Sequence, residues 1–151
     1  MPTVPPPVIG LGAAIVQHAV APRSGSGSGT GSSTVRRVLA GSVAVGSAAL
    51  MGGAVRRFFA AGTTVEPFDP SQASVLVTDG PNALTRNPMY VGMAGALTAH
   101  ALARGGWATW LPVAGFVGVI DRVQVQPEET ALRARFGAEY DAYCRRVRRW
   151  L

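Results

Sequence analysis

The sequence predicts an all-α integral membrane protein, with about four transmembrane helices and a C-terminal amphipathic interfacial helix. Three observations predict it. Hydrophobic residues make up 48% of the chain and charged residues only 15%, against about 25% charged in a typical soluble domain, and mean hydropathy is +0.23. The charges cluster, leaving uncharged runs over 1–22, 38–55, 87–103 and 105–120, each close to the roughly 20 residues that cross a ~30 Å hydrocarbon core. Beyond them Leu132, Phe136, Tyr140, Tyr143, Val147 and Trp150 recur every three or four residues among arginines, the spacing of one apolar helical stripe.

The first run opens with Pro5-Pro6-Pro7, which suits a helix's first turn, where a missing N–H costs nothing. Ala19-Val20-Ala21 also reads as a signal-peptidase site, but residues 1–7 hold no Lys or Arg. The positive region of a signal peptide is thus missing, and a retained helix is the preferred reading. Residues 23–34 are Gly/Ser-rich and read as a flexible linker without chemistry. The second run is rich in Gly, Ala and Ser, which lets helix backbones approach closely, and Arg56-Arg57 ends it.

Residues 62–85 form a polar connector with Pro67, Pro70, Pro81 and an Asp79-Gly80 turn signal, anchored by Val75-Leu76-Val77. Arg104-Gly105-Gly106 joins the third and fourth runs as an antiparallel hairpin, with Trp107 and Trp110 at the interface level. The whole chain, 1–151, reads as one unit: 1–61 supplies two N-terminal helices and 62–151 carries the motifs.

All 14 basic residues are Arg, which with the abundant Ala and Gly reads as codon bias in a GC-rich bacterium. The net charge of +6 raises nucleic acid as a partner. Seven arginines fall between Arg122 and Arg149 beside an apolar run, so the anionic cytoplasmic lipid surface is the expected partner and nucleic acid is not. The same asymmetry places the connector and the C-terminal end on the cytoplasmic side of an inner membrane, with Arg36-Arg37 mildly opposed. Cys144 is the lone cysteine, so no internal disulfide forms. Neither a metal centre nor a reactive thiol is expected.

Two polar strings bracket the hairpin. One is Thr85-Arg86-Asn87-Pro88-Met89-Tyr90-Val91-Gly92, preceded by Val77-Thr78-Asp79-Gly80-Pro81. The other runs from Glu128-Glu129 through Leu132, Phe136, Gly137 and Tyr140 to Tyr143. Together, in this order around one hydrophobic hairpin, they closely resemble the isoprenylcysteine carboxyl methyltransferase family, a membrane group that includes phospholipid methyltransferase relatives. The resemblance covers about residues 62–151.

It implies a cytoplasm-facing pocket for S-adenosylmethionine, with Asn87, Pro88, Tyr90 and Gly92 on one wall and Glu128, Glu129 and Tyr140 on another. Arg86 and Glu129 are the expected catalytic residues. Acidic side chains complement the cofactor's amino group, sulfonium and ribose hydroxyls, and Gly92 leaves room for a ligand to approach the helix. The implied acceptor is a hydrophobic or lipid-linked small molecule. Two positions depart from the family pattern. Asn87 stands where His is common and cannot titrate near neutrality, and Ala99 stands where a glycine is usual.

Each residue also has a purely structural reading. Glu128-Glu129 at a helix start favours its dipole and pairs with Arg133. Arg86 anchors to lipid phosphate. Gly92, Gly95, Ala96 and Ala99 pack helices, and Tyr140 and Tyr143 belong to the apolar stripe. His18 and His100 lie within spans, where an ionisable group is a functional candidate by default. A carboxylate acceptor, already ionised at neutral pH, needs no base and is mildly favoured, with Arg86 or Arg122 to orient it. An amine or thiol needs His100 or a glutamate. The competing readings are a non-enzymatic membrane scaffold of the same fold and a sterol-reductase-like membrane enzyme.

Overall fold

A computed structural model describes residues 4–22, 30–62 and 75–151, and the described secondary structure is entirely helical. Six α-helices follow in order: α1 (Pro6–Val20), α2 (Thr30–Ala60), α3 (Pro88–Arg104), α4 (Trp110–Ile120), α5 (Gln126–Phe136) and α6 (Ala138–Arg146). Short 3₁₀ turns at Gly80–Ala83 and Trp107–Thr109 lead into α3 and α4.

α2 is the one described helix long and apolar enough, over Ser33–Ala60, to cross a membrane by length and composition, and α1 is a shorter apolar helix. α3, at 17 residues, is about 25 Å long at 1.5 Å per residue. α4 contains only 11 residues. It does not end at Ile120, however: the π-helical segment Asp121–Val125 carries it without a break into α5.

Small residues fix the packing of α2 against α3. A Cβ on Gly92 would stand 2.3 Å from Met51 Cγ, and one on Gly95 2.1 Å from Ser47 Oγ, so only glycine admits this separation. Farther along, Gly105 lies against Arg36 and Gly53 against Pro81. The two helices are therefore antiparallel. On the other side of α3, Gly10 of α1 meets Met93 and Phe116. Tyr90, Leu97, Phe116, Ile120 and Val125 form the core, with Trp150 packed against it. Leu11, Ile15, Val45 and Leu111 are all more than half exposed, an apolar outer surface of the kind that faces lipid rather than water.

Gln17 staples the far end. Fully buried, its Nε2 donates to the carbonyls of Leu97 (2.9 Å) and Thr109 (2.8 Å). Its Oε1 lies 2.8 Å from His100 Nδ1. Because Nε2 is already the donor, Oε1 accepts and His100 carries its proton on Nδ1. His100, a candidate from the sequence, thus serves this staple, with His18 stacked on it at 6.1 Å between ring centroids.

Two expectations change. The linker read over 23–34 lies partly outside the described residues, and Thr30 onward is already helical. The connector prolines Pro67 and Pro70 lie outside them as well. The C-terminal stripe is not one separate helix: Gly137, at φ +49°, divides α5 from α6, and Val147 is extended. A left-handed glycine lets the chain turn there without Cβ strain, so Tyr140, Tyr143 and Val147 form a cluster of their own with Leu76, Leu132 and Phe136.

Replacing Gln17 by Leu removes both carbonyls' donor and the acceptor of His100. We expect a loss of about 2–3 kcal/mol, read as a lowered unfolding temperature in detergent, and Gln17→Glu, which turns a carboxylate toward the same two carbonyls, loses at least as much.

Candidate active site

Proline and asparagine begin α3. Pro88 takes the first helical position and is buried, and Asn87 occupies the N-cap without capping. Asn87 Nδ2 donates instead to the Arg149 carbonyl at 2.9 Å. Thr85 Oγ1 donates to that same oxygen at 3.0 Å, and the Arg86 N–H donates to the Arg148 carbonyl at 2.9 Å. Residues 85–87 thus hold the extended 147–150 segment by its backbone.

Arg86 completes the grip. Its Nη1 donates to the Val147 carbonyl at 2.9 Å and its Nη2 to Glu129 Oε1 at 2.7 Å. Glu129, 8% exposed, is shared: Arg149 Nη2 reaches Oε2 at 2.7 Å and Nε reaches Oε1 at 3.0 Å. This two-pronged contact has the fork geometry that makes Arg–carboxylate pairs strong. Arg149 also reaches Asp121 at 3.3 Å, and Asp121 accepts from Trp150 Nε1 at 3.1 Å and Gln126 Nε2 at 3.0 Å. The π segment brings Asp121 here, since its extra residue changes the phase at which side chains leave the helix.

Glu128 points elsewhere. Its Oε1 accepts from the Tyr90 hydroxyl at 2.7 Å and from Gln124 Nε2 at 2.7 Å. Oε2 has no partner among the described residues. The neighbouring glutamates are consequently tuned in opposite directions. Burial pushes Glu128 above the usual carboxylate range, and its two hydrogen bonds only partly offset this. Burial also acts to raise Glu129, but the hydrogen bonds and charges of Arg149 and Arg86 outweigh it and hold Glu129 below that range. Asp121 is held low in the same way, by Gln126, Trp150 and Arg149 against burial. Burial raises the Tyr140 and Tyr143 hydroxyls, Tyr143 to about 12, so both are protonated donors at neutral pH. Tyr143 donates to the Asn82 carbonyl at 2.6 Å.

The structure places Arg86, Asn87, Pro88, Tyr90, Glu128, Glu129 and Tyr140 at one end of the bundle. Gly92 lies apart from them, against α2. The space that it leaves is taken by Met51 and Ser47 of α2, so it packs helices rather than opening a face to a ligand. Glu129 pairs with Arg86 and Arg149, not with Arg133, whose partner is Asp141 at 2.9 Å. Sequence reasoning missed Arg149, Asp121, Trp150 and Gln124. Asp121 had a signal, as the lone acid closing an uncharged run. Nothing local distinguishes Arg149 from the other arginines around it.

Two buried polar atoms beside the grip, Arg86 Nε and Asn82 Oδ1, have no hydrogen-bond partner among the described residues. From Trp150 and Leu151 an apolar groove of about 520 Å³ runs between α2, α3 and α4, past Leu50, Val91 and Gly95 to Val43 and Thr98.

Comparison with known proteins adds the following. A family model described as phospholipid methyltransferase matches residues 35–139. A protein of Haemophilus influenzae described only as uncharacterized is 43% identical over 63 residues, which is 42% of this chain and the whole of that relative. No solved structure matches the chain.

The paired glutamates make stability depend on pH with opposite signs. The contribution of Glu129 is present above the ordinary glutamate range and is lost as pH falls through its depressed value. That of Glu128 is present below the ordinary range and is lost as pH rises through its elevated value, so ionised Glu128 weakens the fold at neutral pH. Thermal unfolding against pH should show Glu129→Gln less stable than the parent near pH 7, by about 3 kcal/mol for a buried Arg86 left without its carboxylate. Glu128→Gln should be more stable near pH 7, with its advantage vanishing below about pH 4.

Proposed function

The chain belongs to the phospholipid methyltransferase family, and from that premise we propose that it transfers a methyl group from S-adenosylmethionine to a hydrophobic or lipid-linked acceptor. In this reading the protein crosses a bacterial inner membrane four times, and the Arg86–Glu129 end faces the cytoplasm. Ten of the fourteen arginines belong to that end or to the segments leading from it, which is the side that the positive-inside rule assigns to the cytoplasm.

The observation that carries the reading is the division of labour between Glu128 and Glu129. Glu129 is consumed by Arg86 and Arg149, so it frames the site and no longer serves as the reacting group. Glu128 keeps an oxygen with no hydrogen-bond partner among the described residues. The residues fit the cofactor by their donor set: a carboxylate for a cationic group, Arg86 Nε for a carboxylate, and Asn82 Oδ1 for a hydroxyl or ammonium. Tyr90 orients Glu128 from α3, and Tyr140 is buried within electrostatic reach of Arg86.

When bound, the cofactor supplies an electrophilic methyl group on sulfur, which the acceptor's oxygen or nitrogen takes while sulfur keeps the bonding electron pair. This chain contributes alignment, which supplies about 7–11 kcal/mol when the reacting atoms are well placed. The groove that ends at Trp150 suits the acceptor's apolar portion, bringing its polar end to the glutamates. A carboxylate acceptor arrives ionised and loses no proton. An amine must lose one, and Glu128, raised toward neutrality, is the group placed to take it.

A scaffold reading has one observation in its favour: Arg86, Asn87 and Glu129 are spent on gripping the 147–150 segment. Calorimetric titration of detergent-purified protein with S-adenosylhomocysteine separates the two. Enzymatic function predicts micromolar binding, weakened about tenfold or more by Glu128→Gln, the loss of one charged contact of about 1.4 kcal/mol. Well-folded protein that binds nothing, in detergent and again in nanodiscs, would leave the scaffold.

A further inference from the structure

The opposite end of the bundle has no carboxylate among the described residues. Every acid among the described residues lies on the 3₁₀ turn that leads to α3, or in the π segment, α5 and α6: Asp79, Asp121, Glu128, Glu129, Glu139 and Asp141. At the far end stand Arg36 and Arg37 on α2, Arg104 at the end of α3, and His18 beside His100. Arg36, Arg37 and Arg104 are exposed. They form no ion pair among the described residues.

These cations are held, not scattered. A Cβ on Gly105, at φ +72°, would stand 2.9 Å from Arg36 Nη1. The Arg36 guanidinium therefore lies directly on the turn that Arg104 begins. Gly106 receives Pro22 in the same manner, its own Cβ position 2.9 Å from Pro22 Cγ. Gln17 ties α1 to both the Leu97 and Thr109 carbonyls just beneath. Like charges gathered without a counter-ion on a rigid frame create a strong local positive potential.

We propose that this end binds the phosphate of an anionic phospholipid, with Arg36 and Arg104 on the headgroup. The surroundings select a lipid over a free anion. Val35, Val38 and Leu39 form an exposed aliphatic flank beside Arg36, and Trp107 is 78% exposed next to the turn. An acyl chain lies along such a flank, while an indole sits at headgroup level. The proposal rests on the membrane placement above but not on methyl transfer, and it gives Arg36-Arg37 a role on the side where the positive-inside rule does not expect them.

The test is native mass spectrometry of the full chain, released from detergent with phosphatidylglycerol or with phosphatidylcholine of the same acyl chains. Phosphatidylglycerol should be retained about tenfold more strongly. The exposed pair Arg36→Gln/Arg104→Gln should abolish that preference, Arg36→Lys/Arg104→Lys should keep most of it, and Arg145→Gln/Arg146→Gln on α6 should leave it intact. Equal retention of the two lipids would overturn the proposal, as would equal losses in both Gln pairs. Displacement of the lipid by millimolar inorganic phosphate would also overturn it, showing a site for free anions. Binding of S-adenosylhomocysteine by the Arg36→Gln/Arg104→Gln protein is expected to be unchanged.

Discussion

One carboxylate holds three parts of this protein together. Glu129 on α5 accepts from Arg86, which precedes α3, and from Arg149, which follows α6. Without it the buried Arg86 guanidinium would lose its carboxylate, and an uncompensated buried charge is among the most destabilising features a fold can carry. The backbone bonds of residues 85–87 to the 147–150 segment run alongside, so the electrostatic pair and the backbone ladder reinforce each other. The turn at Gly137 allows this closure: it folds α6 back so that Tyr140 and Tyr143 face the residues before α3.

The grip also creates the contrast between Glu128 and Glu129. Side chains one apart on a helix leave it about 100° apart, so when Glu129 faces the arginines, Glu128 must face Tyr90 and Gln124. The π segment before them adds the residue that lets Asp121 join the arginine side while Val125 stays in the core. A pair of carboxylates pushed apart in acidity is the pattern by which a site separates a permanently charged group from one that can exchange a proton. Here burial raises Glu128 and the two arginines lower Glu129, with no titratable residue at position 87.

The bundle between the two ends is built on small residues. Gly92 and Gly95 let α2 and α3 touch through Ser47 and Met51, which suits association inside lipid, where no hydrophobic force separates a helix from its neighbour and close van der Waals contact must supply the attraction. The large aliphatic side chains of α1 and α2 are left outside, as a lipid-facing surface requires. Among the described residues both signs of charge meet at one end, while the charged side chains of the other are arginines.

Much of this was legible in the residues. Low charge, long uncharged runs and the Arg-Asn-Pro-Met-Tyr and Glu-Glu strings determined a helical membrane protein, the family, and the set of side chains that meet around Arg86, because composition and short motifs record local demands directly. The roles within that set were not legible. In the structure Asn87 clamps a backbone carbonyl, Gly92 meets α2 and Glu129 pairs with two arginines. Arg149, Asp121 and Gln17 act through partners 20, 28 and 80–92 residues away, and no local pattern records such pairings. The sequence by itself determined which residues are present at each end of the bundle; only the tertiary structure decided which of them neutralise one another and which remain for a ligand, since that depends on how helices cross and turn in space.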